Sequence, residues 1–247
     1  MIIRRLAENM KDRNWSTLVL ELVIVVLGVF LGLQAQTWYE ERGRRSVEAA
    51  YTERLHDDVV GLQERRAPLV EFRERWNAEL QSLSPALFGT VDRPTTDAEC
   101  AALASSYIVS NPTDDLASLI ELQSSGRLSM FRNDRVSEAM QRFLLTRARA
   151  RDSQAGISRG MPTLSMEFPD LIRVVRPTDA TALPPVTASV ECDLPDMRAD
   201  RAFLNAFEVV QSNFAFHVGD NARVSQSLDE LHRTLDETLG LTHEAPR

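Results

Sequence analysis

The residues of this chain that could do chemistry include four histidines, and their spacing does not resemble that of common metal sites. They are His56, His217, His232 and His243. None belongs to an HExxH pair or accompanies a CxxC pair, the spacings with which many zinc sites are built. No glycine-rich phosphate loop is present either. From the sequence we therefore assign no catalytic, cofactor-binding or metal-binding residue and no cofactor, and we do not expect an enzyme. The alternative is catalytic groups that converge from distant positions.

Carboxylates are plentiful, and two pairs are adjacent in sequence, Asp57-Asp58 and Asp114-Asp115. Adjacent residues on a helix point in different directions, so neighbouring acids do not face one site. We interpret both pairs as surface or capping residues rather than as a catalytic dyad.

The two cysteines, Cys100 and Cys192, permit one disulfide. Such a bond is typical of an oxidising compartment. Two unpaired buried thiols are the alternative that the sequence leaves open.

The strongest signal is an apolar segment near the N-terminus that predicts one transmembrane helix over residues 15–38. Leu22–Leu33 has no polar residue, and Trp15, Trp38 and Tyr39 lie at the two ends, where aromatic rings favour the lipid headgroups. A helix from Trp15 to Trp38 is about 36 Å long, enough for a hydrocarbon core of about 30 Å. A buried core helix and a cleaved signal peptide are the alternatives. Bulky residues follow the apolar run, so we favour an uncleaved signal anchor.

Orientation is less clearly encoded. Basic residues flank the segment on both sides in equal number, so the positive-inside rule does not decide. They are Arg4, Arg5, Lys11 and Arg13 before it, and Arg42, Arg44, Arg45 and Arg54 after it. The N-terminal flank is net positive, whereas glutamates cancel the charge of the other flank. With the cysteine pair, this favours an N-terminus in the cytoplasm and a C-terminal domain in the periplasm, with the reverse as the alternative.

One face of the predicted span has a composition that favours helix association. At 100° per residue it contains one acid and otherwise small or compact side chains. Its members are Glu21, Val25, Gly28, Gly32 and Ala35. Gly28 and Gly32 form a GxxxG pair, which allows two backbones to approach closely. We predict that this face contacts another transmembrane helix, either a second copy or a different protein. The alternative is that Glu21 extends toward the near interface.

The pattern Glu21, Gly28, Gln34 and Trp38 followed by Glu40-Glu41-Arg42 resembles the opening of an uncharacterised bacterial family of single-span membrane proteins. In that family alanine is usual where this chain has Gly32, and asparagine where it has Gln36 and Tyr39. Residues 119–128 and 132–134 are similar to a second stretch of the family. The resemblance implies a bacterial inner-membrane protein and no activity.

Charge and periodicity fix the rest of the expected architecture. A net charge of -8 makes nucleic acid an unfavourable partner. Apolar residues recur at helical spacing, so we predict an all-α fold, with the span continuing into a long stalk helix and then an irregular helical bundle. The expected segments are an amphipathic or disordered N-terminus (1–14), the span (15–38), the stalk helix (39–83), a first helical part (84–159), a Pro-rich loop (160–199), C-terminal helices (200–240) and a tail (241–247).

Local signals predict details of these helices. We expect Pro68 to kink or interrupt the stalk helix. Thr96, with Glu99 in a capping box, is predicted to begin one helix, and Thr113 to cap another from Asp114. Asn133 or Asp134 is predicted to cap a longer helix with an apolar stripe.

That longer helix also contains Arg147, Arg149 and Arg151, which we interpret as a solvated basic face near its C-terminus, with a contact to anionic lipid or an acidic partner as the alternative. Gly219 either separates two C-terminal helices, each with an apolar stripe, or lies inside one long helix.

These features lead to two functional hypotheses. The first is a membrane-anchored interaction or scaffold protein that associates through its span, with the lipid bilayer and another transmembrane helix as partners and a homodimer as one form. The second is a periplasmic sensory or ligand-binding helical module. Because the cytoplasmic segment is too short for an output domain, such a sensor would signal through a partner.

Overall fold

A computed structural model describes residues 15–175 and 189–241 of the chain. The predicted N-terminal segment (1–14), three of the prolines of the predicted loop, and the end of the tail lie outside the described residues. The chain divides into two compact units, Met1–Tyr51 and Thr52–Arg247. Each unit is considered separately below.

The first helix, α1, runs from Trp15 to Leu87. Within the first unit it contains the apolar run, and its large apolar side chains from Val19 to Leu33 are 45–64% exposed. Because no described residue covers this run, it does not form a protein core.

Within the second unit, α1 packs through an apolar stripe. The stripe is buried at Leu55, Val59, Leu62, Leu80 and Leu83. Pro68 does not interrupt this helix, since α1 continues through it. Proline removes one backbone hydrogen bond. Pro68 is exposed, so water can satisfy the carbonyl that loses its donor, while the buried residues on either side hold the helix in place.

The next two helices begin differently from one another. Helix α2 spans Asp97–Ser105 and has the predicted capping box, in which Thr96 and Glu99 exchange side chain–backbone hydrogen bonds. Helix α3 spans Ala117–Ser124. The prediction that Thr113 caps a helix from Asp114 is wrong, since Asp114 and Asp115 are held by arginines of another helix.

A left-handed Gly126, at φ 68°, leads into a 3-10 turn over Arg127–Met130. Helix α4 follows over Asp134–Gly160, and the side chain of Asn133 accepts a hydrogen bond from the N–H of Arg135, as a capping residue does. The apolar stripe of this helix was predicted, and of the two predicted caps, Asn133 and Asp134, the structure has Asn133.

The segment predicted as a Pro-rich loop contains short elements in its described part. Helix α5 spans Leu164–Glu167 and helix α6 spans Leu194–Ala199. Strands β1 (Ile172–Val175) and β2 (Ser189–Cys192) pair antiparallel, with Ile172 opposite Cys192. Four-residue strands give little periodicity, so the sequence shows the prolines more clearly than the pairing.

The last helix, α7, spans Arg201–Leu239 and is the centre of the second unit. Asp200 caps its start, and Gly240, at φ 68°, ends it. Gly219 lies inside the helix, which resolves the alternative of two shorter helices. Its buried stripe includes Phe203, Phe207, Phe214, Leu228 and Leu235. Helix α4 packs along it, and side chains of α1 hydrogen-bond to it.

Helices contain most of the described residues, and the β1–β2 hairpin is the only sheet among them. The all-α prediction is confirmed.

Candidate functional site

The apolar part of α1 is a candidate membrane span. Among the described residues it is the one helix long and apolar enough to cross a bilayer, with a mean hydropathy of 2.1 over its most apolar 18 residues and none of that stretch buried. A core helix of a soluble protein would bury most of these side chains.

The predicted association face is open along its length. A Cβ added at Gly28 or at Gly32 would meet no atom within 4 Å outside the local helix. Glu21, Val25 and Ala35 are exposed on the same face. The geometry therefore leaves room for another helix to approach the two glycines closely.

The residues predicted to anchor the span at the headgroups lie at both ends of it. Trp15 is the first residue of α1. Trp38 and Tyr39 are 60% and 77% exposed, and the Arg42 guanidinium lies 5.5 Å from the centre of the Trp38 ring. Exposed aromatic rings next to a cation are typical of a membrane interface.

In the second unit, Cys100 of α2 and Cys192 of β2 form a disulfide, with Cα atoms 5.8 Å apart. The bond ties the β hairpin to α2 across 92 residues of chain. Of the two alternatives that the sequence left open, the structure has the bonded pair.

Beside the disulfide, a buried charge holds the start of α2. Glu99 is 1% exposed and accepts hydrogen bonds from the Arg93 guanidinium and from the N–H of Thr96. Burial opposes ionisation of Glu99, but the hydrogen bonds from Arg93, Thr96 and Ser82 and the charge of Arg93 outweigh it, so the pKa of Glu99 is lowered.

A buried polar layer interrupts the apolar stripes of α1 and α7. Arg66, which is 2% exposed, takes a core position of α1 and donates hydrogen bonds to the carbonyls of Thr113 (3.1 Å), Pro112 (3.4 Å) and Asn221 (3.5 Å). Its Nε makes no hydrogen bond within the described parts of the chain. Desolvation lowers the pKa of Arg66, and the nearby charge of Asp114 partly opposes this effect. Through Arg66, this layer holds the segment between α2 and α3 against α1.

His217 belongs to the same layer, on α7. It is 1% exposed, and the Nδ2 of Asn221 lies 3.2 Å from its Nε2. Burial, and after it the charge of Arg73, lower the pKa of His217 to about 4, although Asp220 opposes the shift. This histidine is therefore neutral at physiological pH.

The adjacent acids have structural partners, and the interpretation as surface or capping residues holds for Asp57 and Asp58 but not for the buried Asp114. Asp58 accepts hydrogen bonds from the N–H and the hydroxyl of Ser118. Asp114 is 3% exposed and is paired with Arg151, and Asp115 accepts from Arg147. We expected the arginines of α4 to form a solvated basic face, so the placement of Arg147 and Arg151 differs from that interpretation.

A second cluster was missed at the sequence level. His56 of α1 and His232 and Asp236 of α7 bring three potential metal-ligand atoms within 4.8 Å of one another. Asp236 Oδ1 lies 3.0 Å from His56 Nε2 and 3.6 Å from His232 Nε2. The spacing of His232 and Asp236, four residues apart on a helix, is the only signal of this cluster in the sequence.

One spacing in α4 matches the GxSxG pattern of a nucleophile elbow, Gly156-Ile157-Ser158-Arg159-Gly160. An elbow requires a strand-to-helix turn, whereas these residues lie at the end of a continuous helix. Ser158 is exposed and donates its hydroxyl hydrogen bond to the carbonyl of Gln154, one turn earlier. Its geometry is not that of an activated serine.

Comparison of the chain with protein-family models, curated proteins and solved structures finds no match in any of the three.

Proposed function

We propose that this chain is a single-span membrane-anchored interaction protein whose span associates with a second copy of itself. The observation that carries the proposal is the exposed apolar part of α1, which has Glu21, Gly28 and Gly32 on one open face.

The exposure of this helix supports a membrane location. Its side chains are uncovered, in contrast to the buried stripe that α1 has between Leu55 and Leu83. In water, a continuous apolar surface of this kind would drive aggregation, whereas in lipid it is solvated by acyl chains.

The acid within the apolar run supports association rather than anchoring alone. A carboxylate facing hydrocarbon costs several kcal/mol unless it is paired or reaches the interface. Two copies that meet at Gly28 and Gly32 would bring both Glu21 side chains to the contact, where one carboxyl group in its protonated form can donate a hydrogen bond to the other. The contact thereby offsets the cost of the polar group and selects one register.

We place the protein in a bacterial inner membrane, with residues 1–14 in the cytoplasm and the helical domain in the periplasm. The family resemblance of the span supports the membrane. The Cys100–Cys192 bond supports an oxidising compartment for the domain.

The test is crosslinking of the full-length protein in membranes. We expect wild type to give dimers, and Glu21→Leu to lower the association constant by about tenfold, since interhelical hydrogen bonds contribute about 1–2 kcal/mol. The triple variant Glu21→Leu, Gly28→Leu, Gly32→Leu should abolish the dimer.

The matched control is Val23→Leu with Phe30→Leu, which changes the opposite face of the same helix and should leave the dimer intact. If the triple variant and the control give equal dimer, the association face is wrong. If dimer is absent from wild type but a different membrane protein is captured, and the triple variant loses that protein, the face is right and self-association is wrong.

A further inference from the structure

We propose that His56, His232 and Asp236 bind one divalent transition-metal ion of the zinc class, and that this ion clamps α1 to α7. The proposal concerns the helical domain alone and does not depend on the function proposed for the span.

Two of the three separations between ligand atoms are close to those of a tetrahedral site, and the third is within 4.8 Å. With metal–ligand bonds of about 2.0–2.2 Å, two ligands of a tetrahedral zinc ion lie roughly 3.3–3.6 Å apart. The distances of 3.0 Å and 3.6 Å from Asp236 Oδ1 to the two imidazole Nε2 atoms bracket that range. An ion can therefore enter with small side-chain movements.

The helices hold the three side chains in place before any ion binds. His232 and Asp236 are four residues apart on α7, so they project from the same face. The rings of His56 and His232 lie with centroids 5.2 Å apart. Leu55, Leu231 and Leu235, beside them in sequence, are fully buried, which anchors both backbones.

The three side chains are partly buried but still reachable from solvent. The side chains of His56, His232 and Asp236 are 12%, 22% and 16% exposed. This exposure gives an ion a route from solvent and leaves a position for a water ligand, as in zinc sites with three protein ligands.

The donor set selects the class of ion. Two imidazole nitrogens and one carboxylate suit Zn²⁺ and its neighbours in the first transition row, whereas Mg²⁺ and Ca²⁺ prefer oxygen ligands. The other ring nitrogen of His56, Nδ1, lies 3.5 Å from Asp57 Oδ1. A carboxylate behind a ligating histidine orients the ring and increases its basicity.

Both imidazoles approach the same oxygen of Asp236. The contact of 3.0 Å between His56 and Asp236 is an ordinary hydrogen bond. The Nε2 of His232 lies 3.6 Å from the same carboxylate oxygen, a separation that is normal for two ligands of one ion.

The experiment uses full-length protein in detergent, purified without a polyhistidine tag and treated with a chelator. Zn²⁺ is added, bound metal is counted after equilibrium dialysis, and thermal unfolding is followed. We expect one Zn²⁺ per chain and a rise in melting temperature that saturates with Zn²⁺, because an ion that binds only the folded state stabilises it. Ca²⁺ at the same concentration should produce no rise.

Three ligand variants, His56→Gln, His232→Gln and Asp236→Asn, should each bind Zn²⁺ at least about tenfold more weakly. The matched control is Asp229→Asn, because Asp229 lies two turns earlier on α7 and accepts a hydrogen bond from Gln63 of α1 (2.6 Å). It should bind as wild type does.

The proposal is overturned if wild type binds less than one Zn²⁺ per chain at saturation. This test uses wild type alone, so it does not depend on whether any variant folds. It is also overturned if the ligand variants and Asp229→Asn bind equally, or if Ca²⁺ produces the same stabilisation as Zn²⁺.

Discussion

Asp58 of α1 accepts hydrogen bonds from both the backbone N–H (2.7 Å) and the hydroxyl of Ser118, 60 residues further along the chain. Leu116, which precedes α3, provides no side-chain cap. A carboxylate from a different helix therefore takes the role of the missing N-cap and joins α3 to α1.

We predict that Asp58→Ala lowers the free energy of unfolding by about 1–2 kcal/mol, the usual effect of losing a helix cap. Ser118→Ala should cost less, because the backbone N–H still donates. Urea unfolding of the full-length protein in detergent measures both. Glu64→Ala, at an exposed site of α1, is the control, and an equal loss in this control would contradict the capping role.

Substitution of Arg66 should lower the stability of the domain more than most single substitutions. Arg66→Ala leaves three carbonyls without their donor and a cavity in the polar layer, so we expect a loss of about 3 kcal/mol. Arg66→Met refills the cavity and should lose less. Arg65→Ala changes an exposed neighbour and should stay within about 0.5 kcal/mol of wild type. Chemical denaturation measures the free energy of unfolding of the three variants. If Arg65→Ala and Arg66→Ala lower it by similar amounts, the buried guanidinium does not stabilise the domain.

His217 should make the domain less stable in acid. Its pKa is 6.5 in the unfolded chain and about 4 in the folded protein, mainly because of burial. As the pH falls below 6.5, the unfolded state gains a proton that the folded state does not bind, so stability decreases between pH 6.5 and pH 4. The full effect is about 3 kcal/mol.

The measurement is the urea midpoint as a function of pH for wild type and His217→Gln. Wild type should lose stability relative to His217→Gln as the pH falls from 6.5 to 4, by up to about 3 kcal/mol. Parallel curves across this range would contradict the assignment.

The disulfide should contribute substantially to the stability of the domain. The bond closes a loop of 92 residues, and removing such a bond costs roughly 2–5 kcal/mol. We expect Cys100→Ser and Cys192→Ser to lower the melting temperature equally, and the double variant to be no worse than either. A reducing agent should shift wild type to the same temperature and leave the variants unchanged. If it leaves wild type unchanged as well, the two thiols do not pair in solution.

Local signals in the sequence predicted local structure well. The capping box at Thr96 and Glu99, the cap at Asn133 and the apolar stripe of α7 follow from residue types at fixed spacing. These patterns act within one or two turns of helix, so no knowledge of the tertiary fold is needed to read them.

The parts that the sequence did not predict depend on how helices align. His56 and Asp236 are 180 residues apart, and their contact follows from the register between α1 and α7, which apolar periodicity does not specify. In the same way, the start of α3 depends on Asp58, a residue of another helix. No local pattern marks Arg66 as a core residue, because the partners that stabilise it there are backbone carbonyls far along the chain.

The measurement that tests the central claim most directly is the topology of the full-length chain in bacterial cells. A reporter enzyme that is active only after export is fused after Arg247, and the membrane fraction is washed with alkaline carbonate. We predict that the protein stays in the membrane, that the reporter is active, and that Cys100 and Cys192 resist alkylation until they are reduced. A chain released by carbonate would contradict the membrane span. An inactive reporter together with two freely alkylated thiols would place the domain in the cytoplasm and contradict the proposed orientation.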